Sequence, residues 1–341
     1  MRVHEIGEFD LIHRLQKIIP KKGEGVVTGI GDDCAVLRMP GDLSLWTTDS
    51  TIEGVHFLPF LATPEQIGRK ALLSNLSDIA SMGGTPLYAT ISLSMPSDAS
   101  VEWIERLYEG IAEHARKYSV AIVGGNTSMS PYGLRLDISV LGKVPESQIL
   151  MRSGAGSGDV VLVTGTIGDA FCGLESVFNP TITVDPEVRN TLIQRYINPF
   201  SRLREARVIS ESGIATAMID ISDGLSSDLL HICDSSGTGV EIYASDLPIS
   251  DEVKSFSRSC GINPCHYALA GGDDYGLLLT AKQETYEFLI QKVLEETGTV
   301  LKKIGNITDQ KNSRSLVMPD GKSKVLGADG WQHFPGVYSQ E

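Results

Sequence analysis

A chain of 341 residues exceeds what one hydrophobic core usually holds, so two domains are expected. Its net charge of −14 argues against nucleic acid or an anionic membrane as the main partner, because both demand a basic footprint. Five scattered cysteines, an odd number without C-x-x-C spacing, argue against a disulfide framework or a zinc motif and read as thiols in a reducing compartment.

The opening MRVHEIGEFDLIHRL carries charges throughout and has no apolar signal core, and no window approaches 18 uncharged apolar residues. A cytoplasmic protein without a membrane span is expected. Residues 8–19 place Phe9, Ile12, Leu15 and Ile19 on one helical stripe. The glycine-rich GVVTGIGDDCAVL then leads into LSLWTTDS, which reads as a strand. A long helix is predicted over 64–82, with Thr63 at its cap and Pro64 in its first turn. PLYATISLSM reads as a strand, VEWIERLYEGIAEHARKY as an amphipathic helix, and SVAIVGG and LRLDISVLGKV as further strands.

The Gly- and Ser-rich stretch 145–158 marks the domain boundary, dividing the chain into 1–148 and 149–341. A second alternation follows: strand DVVLVTG, helices near 168–178, 185–197 and 201–212, and strand ATAMIDIS. A helix near 224–236, strand GVEIYA, a helix near 250–259, strand YGLLLT and a helix near 283–297 complete it. Strands and helices mixed in both halves predict two α/β-type domains.

Aspartates sit where a bland fold would avoid them. In ALLSNLSDIASM, a helix apolar on almost every side, Asp78 is the one charge, and Arg69 and Lys70 lie more than two turns back. A buried carboxylate has to be protonated, paired or metal-bound. Alternation along LSLWTTDS puts Leu43, Leu45, Thr47 and Asp49 on one face, with Asp49 at its C-terminal end. GIGDDCAV carries Asp32 and Asp33 in a glycine loop. AMIDISDGL sets Asp220 and Asp223 around Ser222 where a strand meets a helix; Asp223 alone reads equally as an N-cap. ALAGGDDYGLLL adds Asp273 and Asp274. Each is an ordinary turn on its own, but four such elements in one chain are not.

Several carboxylates among glycine loops, with few bases, suit Mg²⁺, which takes oxygen ligands from one or two carboxylates plus substrate phosphates. Other ways of holding ATP are missing from the sequence: a G-x-x-x-x-G-K-[ST] loop, the H-R-D and D-F-G kinase set, and a complete G-x-G-x-x-G. The pattern therefore points to carboxylate-bound magnesium serving phosphoryl transfer.

GEFDLI, GIGDDCAV, TTDSTIEGVHF, NLSDIASMGGTP, RSGAGSGD, IDISDGLSSDL, ALAGGDDYGLLLT and GWQHF, in this order, resemble the thiamine-monophosphate kinases of the aminoimidazole ribonucleotide synthetase-like superfamily. The resemblance covers nearly the whole chain. It implies a two-domain α/β (α+β) fold, with an N-terminal mixed or antiparallel sheet domain that pairs in a homodimer and a C-terminal α/β sandwich domain. It further implies ATP-dependent phosphorylation of thiamine monophosphate to thiamine diphosphate, with several Mg²⁺ ions, in the cleft between the domains. By match to the family pattern, Asp33, Thr47, Thr48, Asp49, Asp78, Asp220 and Asp223 would be at the metals. Gly125, Asn126, Arg152 and Ser222 would face ATP, and His56, Asp273 and Trp331 would line the acceptor pocket. Asp78, Asp220 and Arg152 would carry catalysis.

The residues read alone are less specific for His56, a lone histidine beside Phe57, for Arg152, which reads equally as a boundary-loop ion pair, and for Trp331, which reads equally as tail packing. Two positions depart from the family pattern. Asn126 stands where Asp is common and offers an oxygen without charge, so its place among the metal ligands is the weaker one. Asp273 stands where Glu is common and reaches less far. Selenophosphate synthetases differ by an N-terminal Cys with a nearby Lys, and hydrogenase-maturation relatives by a C-terminal Cys. A non-catalytic nucleotide sensor on the same scaffold is the alternative that Asn126 favours.

Overall fold

Two sheets organise residues 25–28, 32–38 and 40–332, which are the residues described by this computed structural model. The helix expected over 8–19 lies outside them. The first sheet contains β1 (Val26–Thr28), β2 (Ala35–Arg38), β3 (Leu43–Ile52), β4 (Thr85–Met95), β5 (Ala121–Met129) and β6 (Arg135–Val144), in the order β1-β2-β3-β6-β4-β5. All neighbours run antiparallel except β4 and β5, which are parallel.

Alternation decides which face this sheet buries. Leu43, Leu45 and Thr47 of β3, and Ala89, Ile91 and Leu93 of β4, turn inward, while Trp46, Thr48, Tyr88 and Thr90 turn out. Helices α1 (Pro64–Ser81) and α2 (Val101–Lys117) cover the inner face through Ile67, Leu72, Leu76, Ile79, Leu107 and Ile111. Helix α1 starts as its sequence demands. Thr63 and Gln66 form a reciprocal capping box, and Pro64 occupies the first turn. The two helices cross closely because of Gly68 and Gly110. A Cβ at Gly68 would lie 2.1 Å from the Leu107 carbonyl oxygen, and one at Gly110 would lie 2.0 Å from that of Glu65.

The second sheet has the order β13-β12-β9-β11-β7-β10-β8. Its strands are β7 (Val160–Thr164), β8 (Ala215–Ile221), β9 (Gly239–Tyr243), β10 (Gly276–Ala281), β11 (Leu301–Thr308), β12 (Arg314–Val317) and β13 (Ser323–Val325). Around it lie α3 (Asp169–Phe178), α4 (Pro186–Ile197), α5 (Leu203–Ser212), α6 (Leu225–Ser236), α7 (Asp251–Cys260), α8 (Pro264–Ala270) and α9 (Tyr286–Thr297). The central strands are buried on both sides. Val161, Val163, Ile219 and Ile221 join a core with Leu229 and Ile232 of α6. Val160, Leu162 and Met218 join another with Ile209 of α5 and Leu289 and Val293 of α9. Helices on both faces of one sheet make the sandwich expected for this half, and near-continuous apolar runs such as VVLV are what such strands require.

Among the described residues, the elements expected from periodicity are present within a few residues of their predicted limits. Strands β1, β2 and β11 to β13 and helix α8 were not anticipated. They are short, or, for β11, interleave charged and apolar residues in LKKIGNIT. No helix among the described residues is long and apolar enough to cross a membrane.

A candidate active site between the two sheets

Helix α1 is the spine of the site. Gln66, Lys70, Ser74 and Asp78, four residues apart, form one polar stripe along the helix, and all four line a cavity of about 910 Å³. The opposite wall comes from the second sheet. Strand β8 ends in Asp220 and runs into Ser222 and Asp223, and the loop 271–275 before β10 supplies Gly272, Asp273 and Tyr275. Strand β3 brings Thr47 and Asp49, and the glycine loop before β2 brings Asp32 and Asp33.

At one end, carboxylate oxygens of Asp33, Asp78 and Asp220 lie within 4.8 Å of one another. Each is held by a neighbour. Thr47 donates to Asp78, Ser77 donates to Asp220 at 2.6 Å, and Ser81 donates to Asp33 at 2.7 Å. Arg152 reaches Asp33 with Nε at 3.0 Å and with Nη2. Its backbone N–H also donates to Asp32 at 3.2 Å.

Burial and mutual repulsion disturb these groups. Burial first, and then Asp49, Asp220 and Asp33, push the Asp78 carboxyl well above the usual range. Burial and Asp33 raise Asp220 to about 8. Asp32 rises to about 6, chiefly through burial and then Asp33, and burial also raises Asp49. Burial is the largest single influence on Arg152 and disfavours its charge, but Asp33, Asp32 and Asp220 together outweigh it and keep the guanidinium charged. Asp78 and Asp220 thus resist ionisation, and with Asp33 they make the donor set of a hard divalent ion: oxygen ligands only, closely spaced and each hydrogen-bonded.

The other end is organised around Lys70. Its Nζ lies 3.0 Å from Asp273 Oδ2 and 3.7 Å from the centre of the Tyr196 ring on α4. Tyr196 donates to the His56 carbonyl at 3.3 Å, and Tyr275 donates to Asp273 Oδ1 at 3.0 Å. Trp331, 56% exposed, also lines the cavity, and its backbone N–H donates to the Asp223 carbonyl.

Asp33, Thr47, Asp49, Asp78, Arg152, Asp220, Ser222, Asp223, His56, Asp273 and Trp331 thus line one cavity. His56 also braces its own loop, because its Nδ1 accepts from the Ile52 N–H at 3.1 Å. Gly224, not Asp223, caps α6, and the Gly224 N–H donates to Asp228 at 3.0 Å. The cap reading of Asp223 therefore fails.

Three residues stand apart. Thr48 is at the cavity's edge, but alternation turns its hydroxyl to the other face of β3, where it donates to the Ile138 carbonyl and accepts from Ser139. Gly125 and Asn126 lie on β5, exposed along its whole length at the sheet edge, and line no part of the cavity. Gly125 has a packing reason as well, since a Cβ there would meet the Ile91 carbonyl oxygen at 1.9 Å.

Sequence reasoning missed Lys70, Tyr196, Tyr275 and Asp228. Asp228 is buried with a raised carboxyl pKa, caused first by burial and then by Asp223. The four-residue spacing along α1 was the available signal for Lys70; nothing in the sequence around Tyr196 distinguishes it from a core aromatic.

Residues 31–144 match the AIR synthase related protein, N-terminal domain, and residues 156–317 match the AIR synthase related protein, C-terminal domain. The thiamine-monophosphate kinase of Aquifex aeolicus is 36% identical over 98% of this chain and 100% of its own length. That of Bacillus subtilis is 34% identical over 96% of this chain and 99% of its own. Among solved structures, AaThiL complexed with AMPPCP and TMP superposes with a TM-score of 0.84 at 35% identity, covering 98% of this chain and 99% of the other.

Proposed function

The chain belongs to the AIR synthase related family, among its thiamine-monophosphate kinases, and we infer that it transfers the γ-phosphoryl group of ATP to thiamine monophosphate, giving thiamine diphosphate and ADP. The observation that carries this reading is the meeting of Asp33, Asp78 and Asp220, from three distant segments, at one end of a cavity large enough for more than one small ligand.

The metal roles are part of the proposal. Asp33, Asp78 and Asp220 would hold Mg²⁺, with Asp49 and Asp223 close by and Thr47 fixing Asp78. Bound there, the ions would neutralise phosphate charge and organise the transferring group. The chain's own residues do the remaining work. The acceptor is a phosphate oxygen, so no strong general base is needed, and positioning and charge suffice for a direct in-line transfer. Arg152 supplies a fixed cation beside the cluster for the ATP phosphates. Ser222 faces the nucleotide, and His56, Asp273 and Trp331 line the acceptor end, where an aromatic plane suits a cationic ring.

A homodimer belongs to the same reading. What supports it is an edge strand, β5, whose outer side has no partner strand among the described residues, with Val123 60% and Met129 73% exposed, next to an outer sheet face bearing Trp46 and Tyr88. Gly125 and Asn126 reach a nucleotide in this proposal only through such a second copy. Domain limits of 1–148 and 149–341 are supported by the break between β6 and β7. The cytoplasm is the proposed compartment, supported by five cysteines left as thiols.

The test is turnover of purified protein with ATP, Mg²⁺ and thiamine monophosphate, quantifying thiamine diphosphate and ADP together. Equal amounts of both are expected. ADP without thiamine diphosphate would remove the acceptor assignment, and a covalent phosphoaspartate would remove direct transfer.

A further inference from the structure

Lys70 is 13% exposed in its side chain and ties together three segments that line the cavity. Its own helix, α1, packs on the first sheet. Asp273, on the loop before β10, accepts a hydrogen bond from its Nζ at 3.0 Å, and Tyr196, on α4, presents its ring face at 3.7 Å. The Asp273 loop is not relaxed. Asp273 has φ +65° and Tyr275 φ +49°, left-handed conformations that a non-glycine residue keeps only when its surroundings enforce them. The enforcing contacts are visible. The Asp273 N–H donates to the Ser222 carbonyl at 2.9 Å, Tyr275 donates to one carboxylate oxygen of Asp273, and Lys70 donates to the other.

Distance along α1 separates this contact from the metal end. Asp78 lies eight positions beyond Lys70, about 12 Å of helix rise. The cluster at Asp78 is where phosphate charge would be handled, so Lys70 stands at the far end, beside whatever the phosphate is attached to. Only Lys70 and Arg152 bring a lysine or arginine to the cavity lining among the described residues, and they occupy its opposite ends.

From this geometry we propose that Lys70 is a positioning residue for the acceptor. It sets the orientation of the Asp273 carboxylate and the Tyr196 ring across the cleft, and so determines acceptor affinity without taking part at the metal end. The inference rests on the proposed kinase reaction and extends it to a residue for which that reaction alone assigns no role. Its signature is a split between the two substrates. Lys70→Met removes the ammonium while keeping a long apolar stem, so the helix and its packing survive. The acceptor's KM rises about tenfold, while the KM for ATP and kcat stay within about twofold. Lys70→Arg retains a cation at this place and recovers most of the loss. Because Lys70 acts through Asp273, the effects of Lys70→Met and Asp273→Asn on acceptor KM are not additive, and the double variant is no worse than the poorer single one.

The experiment is steady-state kinetics with ATP and thiamine monophosphate varied separately for wild type, K70M, K70R, D273N and K70M/D273N. Amide hydrogen exchange on the ligand-free wild type and K70M accompanies it. Faster exchange in K70M confined to the 272–276 loop is expected. That measurement reads the latch without turnover, so an inactive wild type would overturn the proposed reaction while the exchange data still decide whether Lys70 holds the loop. An unchanged acceptor KM, an equal fall in kcat and both substrate affinities, additive double-variant effects, or unchanged exchange in the loop would each overturn the proposal.

Discussion

Replacing Asp220 by Asn separates the two things the carboxylate cluster does, because it should help the metal-free protein and ruin the loaded one. The substitution is nearly isosteric, and the Asn carbonyl can still accept from Ser77, which now donates at 2.6 Å. Three carboxylate oxygens within 4.8 Å of each other repel by at least about 3.5 kcal/mol per ionised pair at an effective dielectric constant near 20. Asp220 belongs to two of these pairs, so with all three acids ionised its share of the repulsion is at least about 7 kcal/mol. Arg152 and protons retained by the buried acids remove much of that strain in the metal-free state, and a gain of about 1–4 kcal/mol is expected. With magnesium present the order reverses. The wild type gains binding energy, about 2.7 kcal/mol at a hundredfold excess over Kd, and the variant loses most of it. Calorimetric melts in EDTA and in millimolar Mg²⁺ read the crossing, and initial rates read a loss of at least about 10²–10³ in kcat. A variant less stable than wild type in EDTA would show that Asp220 is a structural hydrogen-bond acceptor. Equal magnesium stabilisation of both proteins, or retained turnover, would remove it from the metal site.

Arg152→Lys keeps the charge but cannot reproduce the two-nitrogen approach to Asp33, so kcat should fall about 10²–10³ with the melting temperature little changed; initial-rate kinetics beside calorimetry check this. Val123→Lys, on the exposed edge strand β5, should convert a dimer into a monomer in analytical ultracentrifugation, and an unchanged dimer would place the interface elsewhere. His114 supplies a pH dependence remote from the site. Burial, with Lys117 and Arg69 nearby, lowers its pKa from 6.5 to about 4, and its Nδ1 is buried without a hydrogen-bond partner. The folded protein therefore binds this proton less readily than the unfolded chain. The stability this provides is full above about pH 6.5 and is lost as the pH falls towards 4. Urea melts should show that slope in wild type and a flatter one in His114→Gln.

What could be read from the sequence follows from which constraints are local. Periodicity is local, so α1, α2 and the long strands of both sheets were legible, and with them the inward face of β3 that carries Thr47 and Asp49. Burial cost is local too: one carboxylate in an apolar helix marked Asp78, and one inside an apolar strand marked Asp220. Pairing is not local. Arg152 meets Asp33 across 119 positions and Lys70 meets Asp273 across 203, so neither contact leaves a trace in spacing. No base lies one turn from Asp78, and a one-turn spacing passes over Lys70. Eight residues away on the same stripe, Lys70 serves the opposite end of the same cavity. The strand edge is a different case. Gly125 and Asn126 were placed at ATP by the family pattern alone, and the missing side chain at 125 is in any case required by the close approach of β4. The same four-residue stripe that hid Lys70 explains how one helix can serve both substrates. Its polar positions are rigidly spaced, so a carboxylate at one end and an ammonium at the other fix the distance between phosphoryl chemistry and acceptor recognition before any ligand arrives.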